Sequence, residues 1–206
     1  MNTVLQISTS IHSEAGNSSR LADEFVAALR ARRPGTRVIA RDIASAPVPH
    51  LDAARFQALL SAPAERSPEQ QAVVSYSDTL IEELQAADVI VLRLPMYNFG
   101  IPSQLKAYFD HVARAGVTFR YSEKGPVGLL TGKRAYVFAT RGGYYRNTAK
   151  DTQSLYVRDF LSFIGIDDIQ FIYAEGLAIS DTSKQRALRA AQTAMGELLE
   201  ELAQAA

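Results

Sequence analysis

The sequence predicts an α/β fold in which a five-stranded parallel sheet, order 2-1-3-4-5, carries helices on both faces. Three observations predict it. Short apolar runs alternate with segments of helical periodicity along the whole chain, the pattern of successive strand–helix units. One run, Val89-Ile90-Val91-Leu92, is apolar without interruption, as a strand buried on both faces must be. The strands number five, which suits this order better than the six-stranded sheet of dinucleotide-binding folds. No internal repeat, low-complexity tract or linker divides the chain, so residues 1–206 are read as a single domain.

Each element follows from its own residues. Val4-Leu5-Gln6-Ile7 reads as the first strand, and a polar loop from Ser8 to Gly16 leads to a helix with Leu21, Phe25, Ala28 and Leu29 on one face. A weaker strand, Val38 to Ile43, precedes the proline-interrupted segment Pro47-Val48-Pro49. Helices are expected around Ala53–Ser61 and Glu69–Ala87, the second with Val73, Tyr76, Leu80, Leu84 and Ala87 at helical spacing. After Val89–Leu92 comes the loop Met96–Gly100. Pro102 then starts a helix with Leu105, Tyr108, Phe109 and Val112 on its apolar stripe. Residues 116–132 form a glycine-rich excursion whose centre, Val117 to Tyr121, reads as a hairpin arm. Tyr136–Ala139 is the fourth strand. A helix with Val157, Phe160, Leu161 and Ile164 closes at Gly165. Ile169–Tyr173 is the fifth strand, and Leu188, Ala191, Met195, Leu198 and Leu202 stripe the last helix.

Composition excludes several functions. Lys+Arg and Asp+Glu are equal at 22 each, which disfavours nucleic acid or an anionic membrane as partner. There is no cysteine, so disulfides and thiol chemistry are out. The histidines His12, His50 and His111 lack ligand spacing, and no metal site is expected. Neither a basic leader nor a run of membrane-spanning length is seen, so the chain is expected to be soluble and cytoplasmic. His111 is read as a surface or interface residue, His12 as solvent-exposed, and Arg141 as a surface or packing residue.

In a sheet of this order the loops after the first, third and fourth strands open on one edge, where such folds hold ligands. The first loop offers Ser8, Thr9, Ser10, Ser13, Asn17, Ser18 and Ser19 at the start of a helix, where N–H groups favour an anion such as a phosphate monoester. Asn17 or Ser18 also reads as a plain N-cap, and the two roles are compatible. The triphosphate-binding motif is absent, because Gly132-Lys133 is followed by Arg134. No Gly-x-Gly-x-x-Gly turn follows the first strand, which points to a mononucleotide rather than a dinucleotide as the tightly held group. In the second loop, Tyr97, Asn98 and Phe99 are either core aromatics around a turn or a seat for a flat ring. The Asn98 amide suits the mixed donor–acceptor edge of a flavin. In the third, Gly142 and Gly143 form either an ordinary turn or a strip of backbone donors for the ring edge that becomes anionic on reduction.

With these residues in view, the chain resembles the FMN-dependent NADH-azoreductases, a branch of the flavodoxin-like quinone reductases. The likeness runs nearly end to end. It is densest over Pro95–Phe99, Gln104–Lys106 and Ala113–Tyr121, and continues through Gly132-Lys133, Arg141–Gly143, Phe163–Ile166 and Ala174–Gly176. The resemblance implies bound FMN, its phosphate held by Ser10, Asn17, Ser18 and Ser19. The ring would lie along Pro95, Met96, Tyr97, Asn98 and Phe99, with Thr140, Gly142 and Gly143 at the pyrimidine edge. It implies NADH or NADPH as electron donor and a quinone or azo compound as acceptor. It also implies a homodimer with two interfacial sites, and a substrate pocket that includes Phe99, Phe119, Tyr121, Tyr145 and Phe163, some from the opposite subunit. Catalysis needs no acid–base side chain, since the flavin carries the chemistry. Two rival functions keep the fold: a flavodoxin-type carrier of single electrons, disfavoured by the zero net charge, and a redox-responsive binding protein.

Overall fold

A computed structural model describes residues 3–204. In chain order its elements are β1 (Thr3–Ser8), α1 (Asn17–Arg32), β2 (Arg37–Asp42), α2 (Ala53–Leu60), α3 (Pro68–Ala86), β3 (Val89–Pro95) and α4 (Ser103–Val112). There follow β4 (Phe119–Ser122), β5 (Gly125–Gly128), β6 (Arg134–Thr140), α5 (Thr152–Phe163), β7 (Asp168–Ala174) and α6 (Asp181–Gln204). Five strands pair in parallel in the order β2-β1-β3-β6-β7. This is the expected order once the glycine-rich excursion is set aside. That excursion supplies β4 and β5, an antiparallel arm separate from the main sheet.

Alternation along the strands builds two cores. Leu5, Ile7, Ile90, Leu92, Leu94 and Val137 pack with Leu80 and Leu84 of α3, Leu105 and Phe109 of α4, and Val157 and Leu161 of α5. Val4, Val89, Val91, Tyr136 and Phe138 turn to the other side, against Leu21, Phe25 and Leu29 of α1 and Ala191, Met195 and Leu199 of α6. Right-handed crossovers that leave β1 in one direction and β3 in the other put α1 and α4 on opposite faces.

Side-chain signals start α2, α3 and α5. Ser67 and Gln70 make a reciprocal capping box ahead of α3, with Pro68 at its first position. Asp52 caps α2 and Asp151 caps α5. Val74, Ser77 and Ile81 join Leu80 and Leu84 on the buried face of α3, so the stripe is rotated slightly from the expected one through Val73. Gly165 ends α5 at φ 103°, the left-handed conformation expected of it.

His111 is a correction. It is 1% exposed, and its Nε2 lies 3.0 Å from the Pro49 carbonyl while its ring meets Tyr76 edge-on. Its Nδ1 is buried without a partner. A histidine beside the stripe of α4 is therefore recruited to fasten the proline segment after β2. Burial pushes its pKa below the ordinary value, against the opposing pull of the Pro49 carbonyl. The unfolded chain takes up this proton near pH ~6.5, whereas the folded chain resists it. Stability is therefore complete above that pH and declines below it. Urea midpoints between about pH 7 and about pH 5 should fall in the wild type and stay flatter in His111→Gln; equal slopes would remove His111 as the cause.

Candidate functional site

The segments leaving β1, β3 and β6 meet at one rim, because Ser8 is in register with Arg93 and Pro95 with Thr140. Thr9 and Ser10 are buried, and Thr9 Oγ1 donates to the Arg93 carbonyl at 2.6 Å, binding the first loop to β3. Ser10 Oγ accepts the His12 N–H at 3.2 Å, and His12 itself is exposed as expected. The chain enters α1 through Gly16. A Cβ there would stand 2.4 Å from Ser10 Oγ, so the loop closes on itself with glycine alone.

Neither Asn17 nor Ser18 is the N-cap. Gly16 takes that place, and no side chain caps α1. Ser19 Oγ is used within the loop, donating to the Ser13 carbonyl at 2.6 Å. Ser18 Oγ is buried and has no partner. An unmet buried hydroxyl costs about 1–3 kcal/mol. Beside the free donors of a helix N-terminus, this one makes a seat that an anion would satisfy.

The second loop is a two-residue turn. Tyr97 and Gly100 exchange both backbone hydrogen bonds, at 3.1 and 3.0 Å, around Asn98 at φ 48° and Phe99 at φ 66°. Two successive left-handed residues suit Asn-Gly; phenylalanine in the second place costs about 1–2 kcal/mol. The turn leaves Asn98 exposed and Phe99 53% exposed, so neither is a core aromatic or a buried amide. The Tyr97 hydroxyl accepts the Ile11 N–H at 3.1 Å and joins the second loop to the first. Met96 N–H donates to the Thr140 carbonyl at 2.9 Å, which continues the β3–β6 pairing into the rim.

Peptide geometry fixes the third loop. The carbonyls of Arg141, Gly142 and Gly143 accept the N–H groups of Leu177, Ala178 and Gly176 at 3.1, 3.0 and 2.9 Å. In a planar trans peptide the N–H points opposite to the C=O. The N–H groups of Gly142, Gly143 and Tyr144 therefore turn away from the loop after β7. Glu175 Oε1 accepts the N–H groups of Tyr145 and Arg146 at 2.8 and 2.9 Å. Tyr145 folds back until its hydroxyl would stand 2.9 Å from a Cβ on Gly143, and its ring meets Phe99 edge-on at 5.7 Å. Met96, Asn98, Phe99, Gly142 and Tyr145 thus line a cleft of about 270 Å³. The rim as a whole combines a buried hydroxyl at a helix N-terminus with a shallow cleft walled by two rings and bordered by Gly142.

Residues 2–199 match the profile of a family described as having the flavodoxin-like fold. The chain belongs to this family. An FMN-dependent NADH:quinone oxidoreductase of Cellvibrio japonicus (strain Ueda107) is 60% identical over 177 residues, covering 86% of this chain and 89% of the relative. One from Alcanivorax borkumensis, with the same description, is 50% identical over 190 residues, covering 92% and 96%. Among solved structures, an FMN-dependent NADH-azoreductase of Bacillus anthracis in complex with FMN superposes with a TM-score of 0.89 at 28% identity. That match covers 98% of this chain and 100% of the other.

The flavodoxin-like frame brings together the residues expected at the rim but divides those expected in the substrate pocket. Phe99 and Tyr145 meet at the cleft. Phe119 and Tyr121 of β4 form a second cluster with Phe163 at the end of α5, with Phe119 4.3 Å from Phe163 and 5.4 Å from Tyr121. Phe119 and Tyr121 line a different cavity with Leu51, Phe56, Leu59 and Leu60, and no residue lines both. A larger cavity of about 790 Å³ opens at the opposite rim, where Lys133 is committed to the Gln85 and Ala87 carbonyls and Arg134 to Asp168. Among the described residues no group of three or more His, Asp or Glu is placed to hold a metal ion, and no helix is long and apolar enough to cross a membrane.

Three residues of the site escaped the sequence reading: Gln153, Glu175 and the buried role of Arg141. Gln153 leaves a signal of its own, a polar residue in register with Val157 and Leu161 on an apolar stripe, whereas Arg141 and Glu175 stand within stretches of the family resemblance without a role read for them. Ser18→Ala should raise the unfolding free energy of the ligand-free protein by about 1 kcal/mol, since an unmet hydroxyl is lost and helix propensity gained. Thermal melts decide this; a lower midpoint would mean that the hydroxyl has a partner in solution.

Proposed function

We propose that this protein is an FMN-dependent NAD(P)H oxidoreductase that reduces quinones and aromatic azo compounds. The observation that carries the proposal is the convergence, on one rim, of the partnerless Ser18 hydroxyl with the cleft between Asn98 and Gly142. The relatives named above, at 50% to 60% identity over most of both chains, support the same reading.

The residues fit the cofactor. Ser10, Asn17 and Ser18, with the first-turn N–H groups of α1, would hold the phosphate without a lysine. Ser19 contributes chiefly by holding the loop in shape. Pro95, Met96, Tyr97, Asn98 and Phe99 would seat the ring, and Thr140, Gly142 and Gly143 its pyrimidine edge. Bound there, FMN would supply two-electron chemistry, taking a hydride at N5 from NADH or NADPH and yielding it to an acceptor that follows in the same place. The protein's part is positioning and electrostatics. Donors fixed by the peptide planes at Gly142 and Gly143 favour negative charge at the ring edge without reorganising. The Phe99 and Tyr145 rings would stack or bracket a flat donor and then a flat acceptor, and the exposure of Phe99 leaves one side open for that exchange.

We further infer a homodimer. Phe56, Leu60 and Tyr121 are 48%, 62% and 74% exposed around the arm cavity of about 320 Å³, an apolar surface that a second copy would cover. The pocket cluster Phe119–Tyr121–Phe163 would then belong to a site completed across the interface. Sedimentation should give twice the 22.5 kDa chain mass; a monomer at micromolar concentration would remove the dimer and leave the cofactor site intact.

Purified protein reconstituted with FMN should turn yellow and oxidise NADH in proportion to added benzoquinone, whereas a pure electron carrier should show almost no turnover. Ser18→Ala, expected to stabilise the free protein, should weaken FMN binding about tenfold. A colourless protein after reconstitution would overturn the proposal.

A further inference from the structure

We propose that Gln153 and Arg141 form a positioning relay that locks the strained Tyr97–Gly100 turn to the Gly142–Gly143 segment. For its consequence on the cofactor, the relay rests on the flavin reading above; its structural part stands alone. Gln153 is 1% exposed, on the face of α5 that carries Val157 and Leu161. A buried amide must meet its donors and acceptor. Here Nε2 donates to the Pro95 carbonyl at 2.9 Å and to the Gly100 carbonyl at 3.3 Å, while Oε1 accepts from Arg141 Nε at 3.3 Å. Because a guanidinium can only donate, it obliges the amide oxygen to face it and the amide nitrogen to face the turn.

Arg141 is itself immobile. Its side chain is 0% exposed, and Nη2 donates to Asp151 Oδ1 and Ser154 Oγ, both at 2.7 Å. Nη1 donates to Glu175 Oε1 at 3.1 Å. That same oxygen accepts the Tyr145 and Arg146 N–H groups. One buried cation therefore orders the third loop through Glu175 and the second through Gln153. Thr152 Oγ1, next along α5, adds a bond of 2.7 Å to the Phe99 carbonyl. The turn so held is the one with two left-handed residues, a conformation that persists only where surroundings over-determine it. Neither Arg141 nor Gln153 lines the cleft, so both are positioning rather than catalytic residues.

Two variants test the relay. Gln153→Met keeps the volume and removes all three bonds; Gln153→Glu keeps the acceptor for Arg141 but sets a carboxylate oxygen against two carbonyls. In the ligand-free protein, amide exchange at Tyr97 and Gly100 should accelerate about tenfold in both variants, with β1 amides unchanged. In the FMN-loaded protein, Gln153→Met should weaken FMN binding about tenfold, move the visible absorption bands and make the flavin potential more negative, because displaced donors stabilise the reduced ring less. A merely structural role would lower the melting temperature but leave the bound flavin's spectrum and potential at wild-type values, and that result overturns the relay. Wild-type exchange at Tyr97 and Gly100 in both variants overturns it as well. If exchange accelerates but the wild type takes up no FMN, the relay stands and the flavin reading alone falls. Gln153→Glu, with Arg141 still satisfied, serves should Gln153→Met fail to fold.

Discussion

Crossovers in this sheet leave β1 and β3 in opposite directions, and most of the site depends on that reversal. A right-handed connection carries α1 to one face on the way to β2, and another carries α4 to the opposite face on the way to β6. Between the two, the carboxyl ends of β1 and β3 have no helix above them. The loops that leave these strands must begin side by side, since Ser8 and Arg93 are in register. The crevice is a product of topology before any side chain is chosen.

Three departures from local rules lie at this rim. The first turn of α1 lacks a side-chain cap, as does that of α4, whereas α2, α3 and α5 have theirs. A buried hydroxyl at Ser18 has no partner, and Phe99 stands in a conformation suited to glycine. Each departure costs stability, and away from a ligand none has an evident return. Folded proteins tolerate such local conflicts chiefly where function requires them, and the cores on either side of the sheet are regular enough to carry the cost.

Buried charge ties the loops into one body. Arg141 lies between Asp151 and Glu175 with every side-chain nitrogen engaged. Desolvation works against ionisation of Asp151, but its bonds to Arg141 and Ser154 outweigh this and hold its carboxyl below the usual range. A buried ion pair is a weak source of net stability. What it provides is directional: a planar cation with fixed donors defines where α5, the third loop and the strand end after β7 sit relative to one another. The cation–π contact of Arg141 with Tyr173, 5.1 Å from the ring centroid, adds a further wall.

Periodicity marked the strands and helices along the chain, and the strand count then pointed to the sheet order and to the three loops that open together. Apolar spacing records which face of an element is buried, and that is a local property of the chain. The Ser8–Gly16 loop, the Met96–Gly100 segment and the Gly142-Gly143 pair were legible for the same reason, since each follows a strand directly. Tertiary structure decided what lies between them. Arg141 reads as one more charge after a strand until Asp151, ten residues on, and Glu175, thirty-four residues on, are folded against it. His111 reads as exposed until Pro49, sixty-two residues away, is brought to its ring. The Asn98-Phe99 turn has an asparagine suited to its left-handed first place, but the hydrogen bonds it accepts from Thr152 and Gln153, fifty-three residues on, exist only in the fold. Charges and hydrogen bonds act at the distances that folding creates, so a sequence can name the partners without showing that they meet.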